Sequence, residues 1–252
     1  MIKTNIELAS AAEKAAKFSK TLYVLGCFGA PMNASNKNRY TNNLDFNKQD
    51  ARKNKILQAS ADTFGFDCVC FIKGLLWGWE GNTSHQYGGA TYQSNGVPDI
   101  SANSMIKACK DVSTDFSNIQ VGEAVWMDGH IGLFIGDGLA VECTHRWKDG
   151  VQITAVHNIG QKSGYNGRAW TKHGKLPYIE YTVAKPVVPE APATPATPVV
   201  TEKPAENLSM TVEKAIEVLA LEVIDGKFGN GEIRKEKLYR TIQNKVNELL
   251  KG

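Results

Sequence analysis

Residues 65–77 read GFDCVCFIKGLLW, and the rest of the chain is organised around this stretch. After Cys68 the apolar residues recur at helical spacing, which predicts a buried helix that begins at Cys68 with Asp67 as its N-cap. A thiol at this position lies near unpaired backbone N–H groups and the positive end of the helix dipole. Helix N-termini can lower a cysteine pKa from ~8.5 into the ~3.5–7.5 range. Cys68 is therefore a candidate nucleophile.

Two other interpretations of this cysteine stay open at the level of single residues. Free cysteines are most often buried as small hydrophobic residues without a chemical role. Cys68 and Cys70 would alternatively form half of a metal site, but structural zinc pairs are usually separated by ~2–4 residues. The remaining cysteines stand singly, at positions 27, 109 and 143. The sequence therefore favours a site without metal or other cofactor.

The composition excludes several classes of protein. The chain has 252 residues, 42% of them hydrophobic and 22% charged, as in ordinary globular proteins. The net charge of +3 is too small to predict a nucleic-acid partner. Five cysteines are an odd number and indicate a reducing compartment instead of a disulfide framework. We expect no signal peptide, because the N-terminus lacks an apolar core, and no membrane insertion, because no apolar run approaches ~18 residues.

Helices and polar loops alternate around the Cys68 helix. The chain begins with an amphipathic helix capped by Thr4 or Asn5, and residues 21–25 form a short strand that ends in a glycine turn. Long loops in a compact domain often face the substrate. We predict surface loops at 31–49 and 79–98, and helices at 51–61 and 104–110.

Residues 122–144 read GEAVWMDGHIGLFIGDGLAVECT and predict an antiparallel meander. Asp128-Gly129 is a two-residue hairpin signal that joins a strand at 123–127 to a strand at 130–135. The remaining strands are predicted at 139–144, 151–156 and 178–181. A helical first half followed by an antiparallel meander predicts an α+β domain.

His130 and Glu142 lie on neighbouring strands of this meander. Adjacent strands are ~4.8 Å apart, so the carboxylate can accept a hydrogen bond from the imidazole. Each residue alone is more often structural or solvated, but a cysteine, a histidine and an orienting group together are typical of nucleophilic catalysis. Three other histidines are rivals for a role near the site, namely His145, His157 and His173.

Three segments together resemble the NlpC-type cysteine peptidases, which are papain-like peptidoglycan hydrolases. GFDCVCFIK is similar to the nucleophile motif of that family, GHIGLFIGDGLAVECT to its histidine strand, and TLYVLGCFG to its upstream tyrosine segment. The resemblance covers about residues 1–182 and implies helices packed on an antiparallel sheet. It also implies roles for five residues: Cys68 as nucleophile, His130 as base, Glu142 as orienting residue, and Tyr23 and Asp67 as substrate-binding residues.

The chain departs from the family pattern in three ways. Val69 and Cys70 replace a small Ser-Gly pair, which leaves a second thiol on the helix. The third catalytic group is usually neutral in this family, whereas Glu142 is more similar to that of the CHAP amidases. The segment between Tyr23 and Cys68 is unusually long, so we expect it to reshape the substrate groove.

The composition changes abruptly after residue 183. Prolines accumulate over 184–209, which predicts an extended, semi-rigid linker between a catalytic domain at 1–183 and a small all-α module at 210–252. The tail, with GKFGNGEIRK at its centre, resembles the three-helix cell-wall-binding repeat of some phage lysins. That resemblance implies contacts to the muropeptide part of peptidoglycan through Phe228, Asn230 and Arg234. A self-associating three-helix tail is the alternative interpretation.

These patterns together predict a phage-type endolysin that hydrolyses an amide bond in peptidoglycan stem peptides. The family resemblance favours the D-glutamyl–diamino-acid bond and a Cys68, His130, Glu142 mechanism. An N-acetylmuramoyl-L-alanine amidase and a non-catalytic cell-wall-binding protein are the alternatives. We expect such a protein to be made in the host cytoplasm without a signal peptide and to act on the cell wall after release.

Overall fold

A computed structural model describes residues 2–182 together with Leu238 and Ile242. The chain divides into two units, Met1–Val187 and Val188–Gly252. The predicted linker at 184–209 and, apart from those two residues, the predicted module at 210–252 lie outside the described residues. Phe228, Asn230 and Arg234 lie outside them as well, so these assignments and the domain boundaries stay predictions.

Helices dominate the first part of the described unit and strands the second. The α-helices are α1 Asn5–Phe18, α2 Ala34–Asn43, α3 Asp45–Lys48, α4 Asp50–Gln58, α5 Cys68–Leu76 and α6 Ala102–Ala108, with a 3-10 turn at Phe116–Asn118. The strands are β1 Thr21–Tyr23, β2 Phe28–Pro31, β3 Phe64–Phe66, β4 Lys110–Ser113, β5 Ala124–Met127, β6 His130–Gly136, β7 Leu139–Thr144, β8 Gly150–Val156, β9 Gly167–Arg168 and β10 Lys172–Lys175. None of the helices in this part of the chain combines the length and the apolar character that a bilayer crossing demands.

The helix α1 begins at a capping box, as predicted. Thr4 Oγ1 accepts a hydrogen bond from the Glu7 N–H at 3.2 Å, and the Glu7 carboxylate accepts one from the Thr4 N–H at 3.2 Å. A cap of this kind stabilises a helix by ~1 kcal/mol. The helix buries Leu8, Ala12 and Ala15 against the core, which holds it on the domain.

The central helix α5 begins at Cys68, as the sequence predicts. Asp67 is its N-cap, and its Oδ1 accepts a hydrogen bond from the Cys70 N–H at 2.7 Å. Every residue of the helix is buried, so it lies inside the domain instead of on its surface. One side packs against Ile131 and Leu133 of β6 in the same apolar cluster. The helix N-terminus is thereby fixed relative to the sheet.

The larger sheet has the strand order β4-β10-β5-β6-β7-β8-β9. Its strands β5 to β8 form the predicted antiparallel meander, and Met127 pairs with His130 across the two-residue turn. Gly129 in that turn has a φ of 72°, which favours glycine. The prediction of an α+β domain is confirmed as mixed helices and sheets, while the papain-like assignment stays a prediction.

The strand predicted at 178–181 is wrong. This segment makes only an isolated bridge between Glu180 and Thr4, and the Tyr181 hydroxyl donates to the Gly122 carbonyl at 2.8 Å. The strand that completes this side of the sheet is β10, which pairs with β4 and β5. Tyrosine and isoleucine favour strands, but in this segment Tyr178 and Ile179 pack against the core instead.

The surface loop predicted at 31–49 is also wrong, because it contains α2 and α3. Asn33 caps α2 by accepting a hydrogen bond from the Asn36 N–H at 3.0 Å. The helix is polar except for Tyr40, which is buried against Val24 and Ile56. Asparagine has low helix propensity, so this helix depends on tertiary packing that the local sequence does not reveal.

Candidate active site

A cleft of about 790 Å³ opens at the N-terminus of α5. Tyr23 of β1, Cys68 of α5 and Gly129 of the β5–β6 turn line it together. Arg39 of α2 and Tyr87 of the loop after α5 also belong to the wall. The predicted nucleophile therefore borders a space that can hold a substrate, next to the turn that leads into His130.

Cys68 is buried in the wall of this cleft, with 8% of the residue exposed. Burial, followed by the negative charge of Asp67, raises the pKa of the thiol to about 12. The backbone N–H groups of Ile131, Val69 and Cys68 act in the opposite direction but do not compensate. The expected lowering by the helix N-terminus is therefore wrong for the free protein, because desolvation exceeds the effect of the helix end. The resting sulfur is a thiol.

His130 and Glu142 are brought together by the sheet register. Glu142 pairs with Gly132, two residues after His130, so both side chains project from the same face. The imidazole Nε2 lies 2.6 Å from Oε2 of Glu142. Because an ionised carboxylate only accepts, the proton is assigned to Nε2, and Nδ1 is left as the acceptor in the neutral ring.

Glu142 has a cationic partner that the sequence analysis missed. Arg168 of β9 donates from Nη2 to Oε2 at 2.7 Å and from Nε to Oε1 at 3.1 Å. Thr154 donates its hydroxyl to Oε1 at 2.8 Å, and the Glu142 side chain is fully buried. Burial acts to raise the pKa of this carboxyl, but His130 and Arg168 outweigh it, so the pKa lies below the ordinary value.

Trp170 covers the imidazole and was also missed. Its ring stacks on the His130 ring with 5.5 Å between centroids and 9° between planes. The residue beneath it is Gly132, where a Cβ would approach the indole Cη2 to 3.1 Å. The Arg168 guanidinium lies 5.4 Å from the Trp170 ring, so the indole and the ion pair support each other. The motif GRAW at 167–170 gives no periodic signal from which this role could be predicted.

The Cys68 sulfur interacts with the backbone of β6, next to His130, and makes no direct hydrogen bond to the His130 ring. Among the hydrogen bonds of the described residues none links the two side chains, whereas the N–H of Ile131 interacts with the sulfur. The helix α5 packs on the face that carries Ile131 and Leu133, and the His130 ring rests on Trp170. His130 is the first residue of β6, which places it at the strand end next to the cleft.

Asp67 and Tyr23 occupy the cleft wall in different ways. Both oxygens of Asp67 accept backbone hydrogen bonds, from Cys70 at 2.7 Å and from Gly26 at 2.8 Å. Asp67 thus ties the β1–β2 turn to the helix start. Tyr23 is half-buried, and burial, then the charges of Cys68 and Asp67, raise the pKa of its hydroxyl. Substrate binding by these two residues stays a prediction.

The rival histidines have other surroundings. His173 is buried, with Nδ1 on the Glu123 carboxylate and Nε2 2.8 Å from the Asp115 carbonyl, so both ring nitrogens are occupied. His145 is exposed and packs edge-on against Tyr23 with 5.4 Å between ring centroids. Burial, then the charge of Arg52, lowers the pKa of His145. Among the described histidines, His130 is the one hydrogen-bonded to a carboxylate at the cleft.

Comparisons with known proteins place one family match in the C-terminal region. Residues 217–250 match the CW_7 repeat, which confirms the predicted cell-wall-binding repeat in that region. No curated protein matches the chain. A solved structure, "Structure of NlpC1 from Trichomonas vaginalis", is similar at 12% identity with a TM-score of 0.34. The similarity covers 68% of this chain and 44% of that chain, so this protein spans less than half of the structure it matches.

Proposed function

We propose that this protein is a cysteine-dependent peptidoglycan hydrolase of the phage-endolysin type. Its N-terminal unit cleaves the D-glutamyl–diamino-acid bond of stem peptides, and its C-terminal repeat holds it on the cell wall. The observation that carries the proposal is the hydrogen-bonded row of His130, Glu142 and Arg168, which begins directly after Gly129, a residue that lines the cleft of Cys68. A wall-binding repeat on the same chain supports peptidoglycan as the substrate.

The first half of the reaction forms a thioester. The Cys68 sulfur attacks the carbonyl carbon of the scissile amide while its proton passes to Nδ1 of His130. Glu142 accepts the Nε2–H hydrogen bond and stabilises the imidazolium that results. The imidazolium then protonates the leaving nitrogen, the C–N bond breaks, and an amine departs. Because the resting thiol has a pKa of about 12, proton transfer and attack occur together in this scheme.

The second half hydrolyses the thioester. A water molecule gives its proton to the neutral imidazole and attacks the acyl carbon, and the Cys68 sulfur leaves as thiolate and regains the proton. A free carboxylate and the original enzyme are the products. No redox partner is needed, because the C–N bond is replaced by a C–S bond and then by a C–O bond. The protons move only between His130, sulfur, the leaving nitrogen and water.

Backbone N–H groups at the start of α5 stabilise the oxyanion in both steps. The Cys70 N–H donates to the Asp67 carboxylate, whereas the N–H groups of Cys68 and Val69 face the sulfur. Donors positioned in this way act on charge that develops next to the sulfur. The cap therefore has two functions, since it fixes the helix and leaves the first N–H groups for the substrate.

Zymography on purified cell walls tests the proposal. Wild-type protein is expected to produce a clearing zone, and Cys68→Ala to produce none. Cys70→Ala is the matched control, because Cys70 is a second buried thiol on the same helix turn. Clearing by Cys68→Ala would exclude this residue as the nucleophile, and no clearing by the wild type would favour a non-catalytic wall-binding protein.

Mass spectrometry of the released muropeptides identifies the bond. Cleavage of the D-glutamyl–diamino-acid bond exposes a new diamino-acid amine and leaves the muramoyl–alanine bond intact. An N-acetylmuramoyl-L-alanine amidase instead releases an intact stem peptide from the sugar. Free lactyl groups on the glycan would therefore reassign the activity to an amidase without changing the proposed nucleophile.

The wall-binding repeat is proposed to raise the local enzyme concentration. A single binding copy holds a surface weakly, and avidity requires linked sites. The enzyme is proposed to accumulate in the host cytoplasm and to reach the wall on release. Removal of residues 184–252 is expected to lower binding to purified walls while cleavage of a short soluble stem peptide is retained. Equal wall binding by both forms would contradict this role.

A further inference from the structure

The helix α2 contributes a cation to the cleft of Cys68. Arg39 lines this cleft and belongs to the long segment between Tyr23 and Cys68. Its Nη1 donates a hydrogen bond to the Tyr87 hydroxyl at 2.6 Å. The guanidinium carbon lies 5.5 Å from the Tyr40 ring centroid and 5.7 Å from that of Tyr87. Arg39 is exposed, but its guanidinium is held against two aromatic rings at the cleft wall.

Of the two cations that line the cleft, Arg39 is the one without a carboxylate partner among the described residues. Lys73, the second cation of the cleft, is paired with Asp99, and Tyr92 donates to the same carboxylate at 2.8 Å. The ion pairs between described residues include none with Arg39. Asp67, the remaining acid of the wall, has both oxygens on backbone N–H groups.

An uncompensated guanidinium in a cleft favours a ligand that carries a carboxylate. A guanidinium has five N–H donors in a rigid fork that matches a carboxylate, and the Tyr87 contact uses one of its nitrogens. The aromatic rings already restrict the side chain, so little further conformational entropy is lost when a ligand binds. A carboxamide of the same shape places its NH₂ group near the cation and carries no charge, so it binds less well.

We propose that Arg39 forms a carboxylate-binding subsite, which selects stem peptides whose D-glutamyl residue has a free α-carboxylate over those with an α-carboxamide. This assignment rests on the proposed function, since in such peptides the D-glutamyl residue is joined through its side chain and keeps its α-carboxyl beside the scissile amide. Arg39 is here a substrate-binding residue and takes no part in proton transfer.

Two synthetic stem peptides that differ only at this group test the subsite. Wild-type enzyme is expected to show a kcat/KM about 10-fold or more higher for the free carboxylate, mainly through KM. Arg39→Gln is expected to reduce this ratio to about one by weakening the carboxylate peptide alone. Lys37→Gln is the matched control, because Lys37 is on the same helix but outside the described lining of the cleft, and it should keep the wild-type ratio.

Binding to the inactive Cys68→Ala protein separates this inference from the proposed activity. Calorimetry with the same two peptides should give the same preference of about 10-fold without any cleavage, and Arg39→Gln in that background should abolish it. A preference that survives Arg39→Gln, equal binding of the two peptides, or no binding of either would overturn the subsite. Absence of cleavage with the preference intact would instead count against the proposed hydrolase alone.

Discussion

Replacing Arg168 by methionine is the most informative single perturbation of the candidate site. The change removes the hydrogen bonds to Glu142 at 2.7, 3.0 and 3.1 Å but keeps an unbranched apolar stem beneath Trp170. Glu142 is fully buried, and Thr154 and His130 become its remaining partners. Breaking a buried ion pair by removing one partner costs about 3–5 kcal/mol, because a charge stays buried without compensation.

The loss is expected to depend on pH. Arg168 is one of the groups that hold the pKa of Glu142 below its ordinary value, so without the guanidinium the buried carboxyl takes up a proton more readily as the pH falls. Protonation removes the uncompensated charge and relieves part of the cost. The free energy of unfolding should therefore fall by the full ~3–5 kcal/mol near pH 8, and by less near pH 5.5. Urea denaturation at both pH values measures the difference.

The activity of the variant reports the same loss. Arg168 and His130 both bond Oε2 of Glu142, so the guanidinium fixes the carboxylate that orients the imidazole. Without the guanidinium the orientation of His130 is less restricted, and kcat should fall in Arg168→Met.

Two controls make the result specific. The double variant Glu142→Gln/Arg168→Met removes both charges and should regain most of the stability lost by the single variant. Lys175→Met breaks the exposed pair with Asp111 and should cost at most ~1 kcal/mol. A loss below ~1 kcal/mol at both pH values, with an unchanged kcat, would refute the charge-balancing role of Arg168.

Three further predictions concern the same site. Because burial raises the pKa of Cys68 to about 12, alkylation of this thiol should be slow at neutral pH and accelerate about tenfold per pH unit. Glu142 has a folded-state pKa below its ordinary value of 4.5. Its contribution to stability is therefore complete above that pH and is lost as the pH falls through the folded pKa. Glu142→Gln should accordingly flatten the acid limb of the curve of unfolding free energy against pH. Gly132→Ala places a methyl group 3.1 Å from the Trp170 ring, which should displace the indole from His130 and lower kcat while the domain stays folded by circular dichroism.

Each of these has a result that would contradict it. An alkylation rate that levels off below about pH 8 would indicate a stable thiolate–imidazolium pair in the free protein. Equal acid sensitivity of wild type and Glu142→Gln would mean that other carboxylates dominate acid unfolding. Unchanged kcat in Gly132→Ala, with unchanged Trp170 fluorescence, would show that the indole does not position His130.

Local patterns predicted those parts of the site that depend on short-range geometry. The Asp67 cap, the helix start at Cys68 and the turn at Gly129 each involve residues within a few positions of one another, so the sequence contains the whole interaction. The spacing of His130 and Glu142 is of the same kind, because a tight turn joins their strands and sets the register.

Long-range contacts were beyond such patterns. Arg168 reaches Glu142 across 26 positions and Trp170 stacks on His130 across 40, with no periodic signal in either segment. The helix α2 was predicted as a loop because its one buried aromatic residue, Tyr40, finds its partners only in the folded domain. The partners that occupy both ring nitrogens of His173 are 50 and 58 positions away along the chain, so its own segment does not reveal them.

Local sequence patterns account for the central helix, the meander, the order of the candidate catalytic residues and a cell-wall-binding repeat that the family match confirms. The charge state of the site depends instead on tertiary packing. Helix geometry alone predicted a thiolate at Cys68, but burial removes the sulfur from water, and desolvation favours the neutral thiol. Burial also makes Glu142 dependent on Arg168, because a carboxylate without water requires a counter-charge. Periodicity describes a residue's neighbours along the chain, whereas desolvation depends on every atom that folding brings around it.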